Sequence, residues 1–119
     1  MKICSINAAG AAHLGLVTAR GVVDATAAGY PHGIDAVIAG ADTAPLRALA
    51  ADESLPVVDA PEYLNVVEHA GKLLCVGLNY RAHAEGVELK SADVPILFSK
   101  FANALVPCGA AVELPEWEE

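Results

Sequence analysis

Residues 73–78 (LLCVGL) are the stretch that most restricts what this chain can fold into. They form a continuous apolar run without alternation, the pattern of a strand covered on both faces. The run is far too short to cross a membrane, and no apolar stretch of about 18 residues occurs elsewhere, so no spanning helix is expected. Gly77-Leu78-Asn79-Tyr80 closes it. Asn79 is a good N-cap, so the sequence predicts a strand turning into a short helix over residues 80–87. Residues 95–100 (PILFSK) read as the next strand, Gly109 as a turn, and residues 111–114 as a further strand.

The first 60 residues read differently. Residues 2–6, 13–19 and 22–23 are short strands separated by turns at 8–12, around Gly10, and at Arg20-Gly21, which predicts an antiparallel meander. The alanine-rich residues 24–28 start a helix that Gly29, Pro31 and Gly33 interrupt. Ile34, Val37 and Ile38 recur at helical spacing, placing a short helix over 34–39. Asp42 or Thr43 caps a second helix with Pro45 in its first turn and Leu46 and Leu49 facing inward. Residues 56–61 are irregular or an edge strand, and 63–70 a linker. The expected domains are therefore 1–70 and 71–119, in an α+β chain.

Composition narrows the function. Hydrophobic residues make up 55% of the 119 residues but aromatics only 5%, so the core is built from small side chains. Net charge is −8, and acids outnumber bases in both halves: six to three in residues 1–60, nine to four in 61–119. With no basic run, neither a nucleic-acid backbone nor an anionic membrane surface is an expected partner. Cys4, Cys75 and Cys108 form no C-x-x-C pair, so free thiols in a reducing cytoplasm are expected, with Cys75 in the core. His13, His32 and His69 have no metal-like spacing and read as surface or turn residues.

Chemistry concentrates after the apolar run. Arg81, His83, Glu85, Glu88 and Lys90 crowd titratable groups into one short stretch at a strand-to-helix turn, where ligands commonly bind. A histidine near a carboxylate suits general-base work. A surface helix of mixed charge has the same pattern.

The longer string K-L-L-C-V-G-L-N-Y-R-A-H-A-E, followed by P-I-L-F-S-K-F-A-N-A-L-V and V-E-L-P, resembles the opening of the catalytic domain of the fumarylacetoacetate hydrolase family. Members share G-L-N-Y-x-x-H-A, then P-V-L-F-x-K, then A-L-V/I-G-P-G-D and V-x-L-P. Gly77, Leu78, Asn79, Tyr80, His83 and Ala84 match the first block. Pro95, Leu97, Phe98 and Lys100 match the second, and Ala104, Leu105, Val112, Leu114 and Pro115 the third. Gly15 to Val17 and Gly21 to Asp24 resemble the small N-terminal domain of bacterial members. The resemblance implies a small N-terminal meander with short helices, then the first strands and lid helix of an incomplete, mostly-β catalytic domain. It implies hydrolase, decarboxylase or isomerase activity on small 2-oxo or 1,3-dicarbonyl acids, with Mg2+ or Mn2+ chelating the substrate and stabilising its enolate. His83 falls on the family's base. Lys100 falls on a strand lysine near the substrate, either a charge partner or a purely structural residue.

Three departures qualify the resemblance. The family's glutamate follows the histidine by three residues, where this chain has Gly86. On a regular helix Glu85 lies about 160° and Glu88 about 140° around from His83, too far for either to meet it. Pro107-Cys108-Gly109-Ala110 replaces G-P-G-D. The family's E-x-E metal motif follows V-x-L-P, and Glu116, Glu118 and Glu119 precede that place, so no residue here is assigned as a metal ligand. The expectation is an incomplete site whose metal half lies in a second chain or a missing C-terminal region, with a homo-oligomer in solution. The alternative is an inactive remnant that acts as a binding or assembly module.

Overall fold

Alternation and tight turns build the first sheet. The computed structural model describes residues 1–80 and 95–116. Within them β1 (Lys2–Ala8), β2 (Ala11–Thr18), β3 (Gly21–Asp24) and β4 (Val57–Val58) form one antiparallel sheet in the order β1-β2-β3-β4. The first turn is tighter than the expected 8–12. Only Ala9 and Gly10 lie outside the strands, both with positive φ (53° and 87°), as a two-residue hairpin of matching twist demands. The Asn7 side chain accepts the Gly10 N–H at 2.9 Å and fixes the turn.

Leu14, Leu16 and Val23 point to one face of this sheet, and Ala25, Tyr30, Ile34 and Leu46 complete the buried cluster against them. Burying each such aliphatic side chain stabilises the fold by about 1.5–3 kcal/mol. Helix α1 (Ile34–Ile38) contributes Ile34, and α2 (Ala44–Ala51) contributes Leu46, with Leu49 half-buried beside it. The expected cap of α2 resolves in favour of Asp42, whose carboxylate accepts the Ala44 N–H at 2.9 Å. Thr43 occupies the N-cap position without a side-chain bond. Tyr30 satisfies its buried phenol by donating to the Asp42 carbonyl at 2.7 Å.

Three expectations for this part need correction. Residues 25–29 form turns rather than the start of a helix. The Asp24 carboxylate takes the Ala27 N–H, and after a single α-type bond from the Ala28 N–H to the Asp24 carbonyl (3.1 Å) Gly29 (φ 94°) ends the segment. Residues 63–69 are not a free linker. Tyr63 bridges to Ile6 and the Leu64 N–H donates to the Ser5 carbonyl, so this segment lies along the outer edge of β1. Residues 111–114 form no strand: nothing among the described residues pairs with them, and Val112 and Leu114 are exposed.

The contacts divide the chain into two units, Met1–His69 together with the segment from Val106, and Ala70–Leu105. In the second unit β5 (Leu73–Gly77) pairs antiparallel with β6 (Ile96–Lys100), followed by a single 3-10 turn at Ala102–Ala104. The expected strands are present, but the run at 73–78 is not covered on both faces. Leu73, Cys75 and Gly77 are half-buried, while Leu74 and Val76 are 66% and 48% exposed. A two-stranded sheet lacks the layers that would cover it. Cys75 is accordingly half-buried rather than core. The whole is an α+β chain of small sheets and short helices.

Candidate functional site

In the second unit the backbone leaves β5 through Leu78, whose φ of 52° is left-handed and unusual for a branched residue. Such a conformation costs on the order of 1–2 kcal/mol and collects at functional turns. Asn79 and Tyr80 follow it and are exposed. His83, Glu85, Gly86 and Glu88, with the helix expected there, lie outside the described residues.

Lys100 is exposed at the far end of β6, opposite Leu73. Gly77, which opens the G-L-N-Y block, pairs instead with Ile96. The Gly77 turn and Lys100 are therefore at opposite ends of the hairpin, four residues or roughly 13 Å apart along the strand. By alternation Lys100 shares its face with Phe98 and Ile96, and across the pair with Cys75. Among the described residues this unit has no Asp or Glu, so it offers no donor set for a hard cation.

Polar clusters occur in the first unit. His13 Nδ1 lies 2.7 Å from the Asp24 carboxylate, both half-buried on the sheet face opposite Leu14 and Leu16. Beside Asp24 a largely apolar cavity of about 300 Å3 is lined by Val23, Ala27, Leu55 and Val57. A second cluster joins Asp35 to Glu68 and His69, with one ligand atom from each inside 4.8 Å of the others. Asp35 already serves three donors: the backbone N–H groups of Glu68 (3.1 Å) and His69 (3.0 Å), and His69 Nδ1 (2.9 Å). The His69 bond foremost, then these N–H groups, hold the Asp35 carboxyl below its ordinary range. A cation held by all three would have to displace the proton between His69 Nδ1 and Asp35 and compete with two backbone N–H groups, so the arrangement reads as a fastening of the chain rather than an open coordination site. Burial pushes the half-buried Cys4 thiol upward, the direction opposite to an activated nucleophile.

Sequence reasoning missed both histidine pairs. His13–Asp24 was accessible in principle, since the β2–β3 register sets Asp24 opposite Gly15, two residues from His13 on the same face. Asp35–His69 had no local signal, because 34 residues separate its partners. The altered turn at 107–110 closes through an Ala110 N–H to Pro107 carbonyl bond, with Gly109 at φ 86°.

No family model matches this chain. Curated relatives do. Oxaloacetate tautomerase Fahd2a, mitochondrial, of Rattus norvegicus is 37% identical over 76 residues, which cover 61% of this chain and 24% of the rat protein. The fumarylacetoacetate hydrolase domain-containing protein 2 homolog of Dictyostelium discoideum is 49% identical over 39 residues, 33% of this chain and 12% of that protein. A Burkholderia cenocepacia protein, named provisionally as a hydrolase, is 27% identical over 117 residues, 98% of this chain and 41% of its own length. The matches thus span less than half the length of these relatives.

Proposed function

We propose, from the premise that this chain belongs to the fumarylacetoacetate hydrolase family, that it supplies the base side of an enzyme site for small 2-oxo or 1,3-dicarbonyl acids. The observation that carries this reading is the ungapped succession of Gly77-Leu78-Asn79-Tyr80, His83 and the 95–100 strand. His83 is the general base, moving a proton at the carbon or water that reacts. Lys100 is the substrate-side cation, attracting the carboxylate of an oxo acid. The tautomerase name of the mammalian relatives makes keto–enol interconversion of oxaloacetate the first reaction to examine.

Mg2+ or Mn2+ belongs to this reading as the family's cofactor. The described residues of the second unit do not fit a hard cation, so none of them is assigned as a ligand, and a second chain is the proposed source of ligands and of strands to cover β5 and β6. A homo-oligomer and a cytoplasmic setting complete the proposal. Among the described residues no helix is long and apolar enough to cross a membrane.

The test is turnover of oxaloacetate and of an acylpyruvate by the purified protein, with and without Mg2+ or Mn2+. Replacing His83 by Ala is expected to lower kcat by about 10²–10⁴-fold, the usual contribution of a general base. Equal activity in wild type and His83→Ala would overturn the assignment. A second reading is favoured by Gly86, which stands where the family pairs its base with glutamate: a binding or assembly module without turnover. Metal-dependent activity that requires His83 would rule it out.

A further inference from the structure

Alternation assigns every side chain of β5 and β6 to one of two faces. Leu74, Val76, Leu97 and Ser99 share the first. It carries no charge and is largely exposed, so it suits a covering layer of protein. Leu73, Cys75, Gly77, Ile96, Phe98 and Lys100 share the second. That face differs in kind, with a cation at one end and an apolar strip from there to the Gly77 turn. A protein layer laid over it would bury the Lys100 ammonium, which is costly unless an anion meets it.

The strip is continuous. A Cβ on Gly77 would come within 3.7 Å of both Ile96 Cγ2 and Phe98 Cε1, so these two side chains close over the glycine. Cys75, paired with Phe98, joins them to the lysine end. Charge points to the kind of ligand. The whole chain carries a net −8, yet the charged residues described in this unit are Lys72 and Lys100, both at one end of the hairpin, with no Asp or Glu among the described residues beside them. The second face therefore offers a cation to one anionic group and an apolar surface to the rest of the molecule.

We infer that this face is the tail subsite of the oxo-acid site, and that it selects acids with a single carboxylate and an apolar tail over dicarboxylates. The inference rests on the proposed role of Lys100 in that site and names the substrate class it takes. The carboxylate lies against the Lys100 ammonium, and the tail runs over Phe98 toward Ile96 and Gly77. A second carboxylate on that tail would lose water against Phe98 and Ile96 with no described cation on the face to pair it. Dicarboxylates such as oxaloacetate are therefore the poorer ligands.

Binding of two stable probes to the full chain tests it: 2-oxooctanoate, with one carboxylate and an apolar tail, and 2-oxoglutarate, with two carboxylates. Wild type is expected to bind 2-oxooctanoate at least about tenfold more tightly, within the range that apolar contacts supply. The amides of Cys75, Ile96 and Phe98 should shift with it in NMR spectra. Phe98→Ser should weaken 2-oxooctanoate by about tenfold and leave 2-oxoglutarate within about twofold. Leu97→Ser, on the other face, should alter neither. Equal affinity for the two acids, or tighter binding of 2-oxoglutarate, overturns the inference, and so does a preference that survives Phe98→Ser. Should Phe98→Ser unfold, the wild-type shifts decide, and shifts confined to Leu74, Val76 and Leu97 overturn it. Lys100→Met separates the inference from the reading beneath it. If both acids are lost in Lys100→Met but Phe98→Ser leaves the preference intact, the tail subsite alone fails. If both acids bind Lys100→Met unchanged, Lys100 leaves the site and the subsite goes with it. Binding of neither acid by wild type also overturns the inference, while the His83→Ala comparison still decides the family reading.

Discussion

The two units meet the same demand, covering apolar strands, with unequal success. In the first, Leu14, Leu16, Ile34 and Leu46 are completely or almost completely buried by two short helices laid on one face of a four-stranded sheet. In the second, a two-stranded hairpin of comparable hydrophobicity leaves Leu74, Leu97 and Phe101 66%, 63% and 84% exposed. What separates them is the second layer, since apolar sequence alone does not make a core. Leu74, Val76 and Leu97 share one face of the hairpin, so these exposed apolar side chains are contiguous rather than scattered.

The sharpest way to break this contrast is a pair of truncations. Leu46→Ala should destabilise the chain by about 2–5 kcal/mol, the cost of a cavity in a packed core. Leu74→Ala should change it by no more than about 0.5 kcal/mol, as an exposed position does. Equal shifts in guanidinium denaturation midpoint would show that the hairpin has a core after all. Gly15→Ala comes next. A Cβ there would lie 2.6 Å from Cys4 Sγ and 2.9 Å from Val22 Cγ1, so the sheet face that carries Cys4, Ile6 and Val22 must move, at about 1–3 kcal/mol. Thermal unfolding of Gly15→Ala, alone and combined with Cys4→Ala, measures it. Partial recovery in the double variant is expected.

For the hairpin, Leu74→Ser combined with Leu97→Ser should leave the unfolding midpoint nearly unchanged while weakening any self-association seen by light scattering. The smallest effect concerns pH. Because the Asp35 carboxyl lies below its ordinary range in the folded chain, the stabilisation it provides is complete above that range. It fades as pH falls through the lowered value. Denaturation midpoints measured across the acid range should therefore drop less steeply in Asp35→Asn than in wild type.

Much of the fold was legible because its signals are local. The β1–β2–β3 meander follows from alternation and from Gly10 and Gly21, α1 from Ile34, Val37 and Ile38, and α2 from Asp42, Pro45 and Leu46. The expected helix at 24–28 failed because Asp24 bonds its own turn and Gly29 stops it, a competition between neighbouring groups that composition does not reveal. The expected strand at 111–114 failed because alternation describes a face to be covered, and no partner is there among the described residues. For the candidate site, the order of blocks was readable, and so was Gly86. That Lys100 and Gly77 lie at opposite ends of the hairpin needed the register.

By itself the sequence determined where β1, β2, β3, β5 and β6 run and the order of the motif blocks along them, since each depends on residues within a few positions of one another. Tertiary structure alone decided that residues 62–69 lie on β1, that Asp35 holds His69, and that the apolar run at 73–78 stays half open. Those outcomes depend on hydrogen-bond partners and packing layers dozens of residues away, and a hydrogen-bonding or apolar residue does not encode in its own neighbourhood which distant group will meet it.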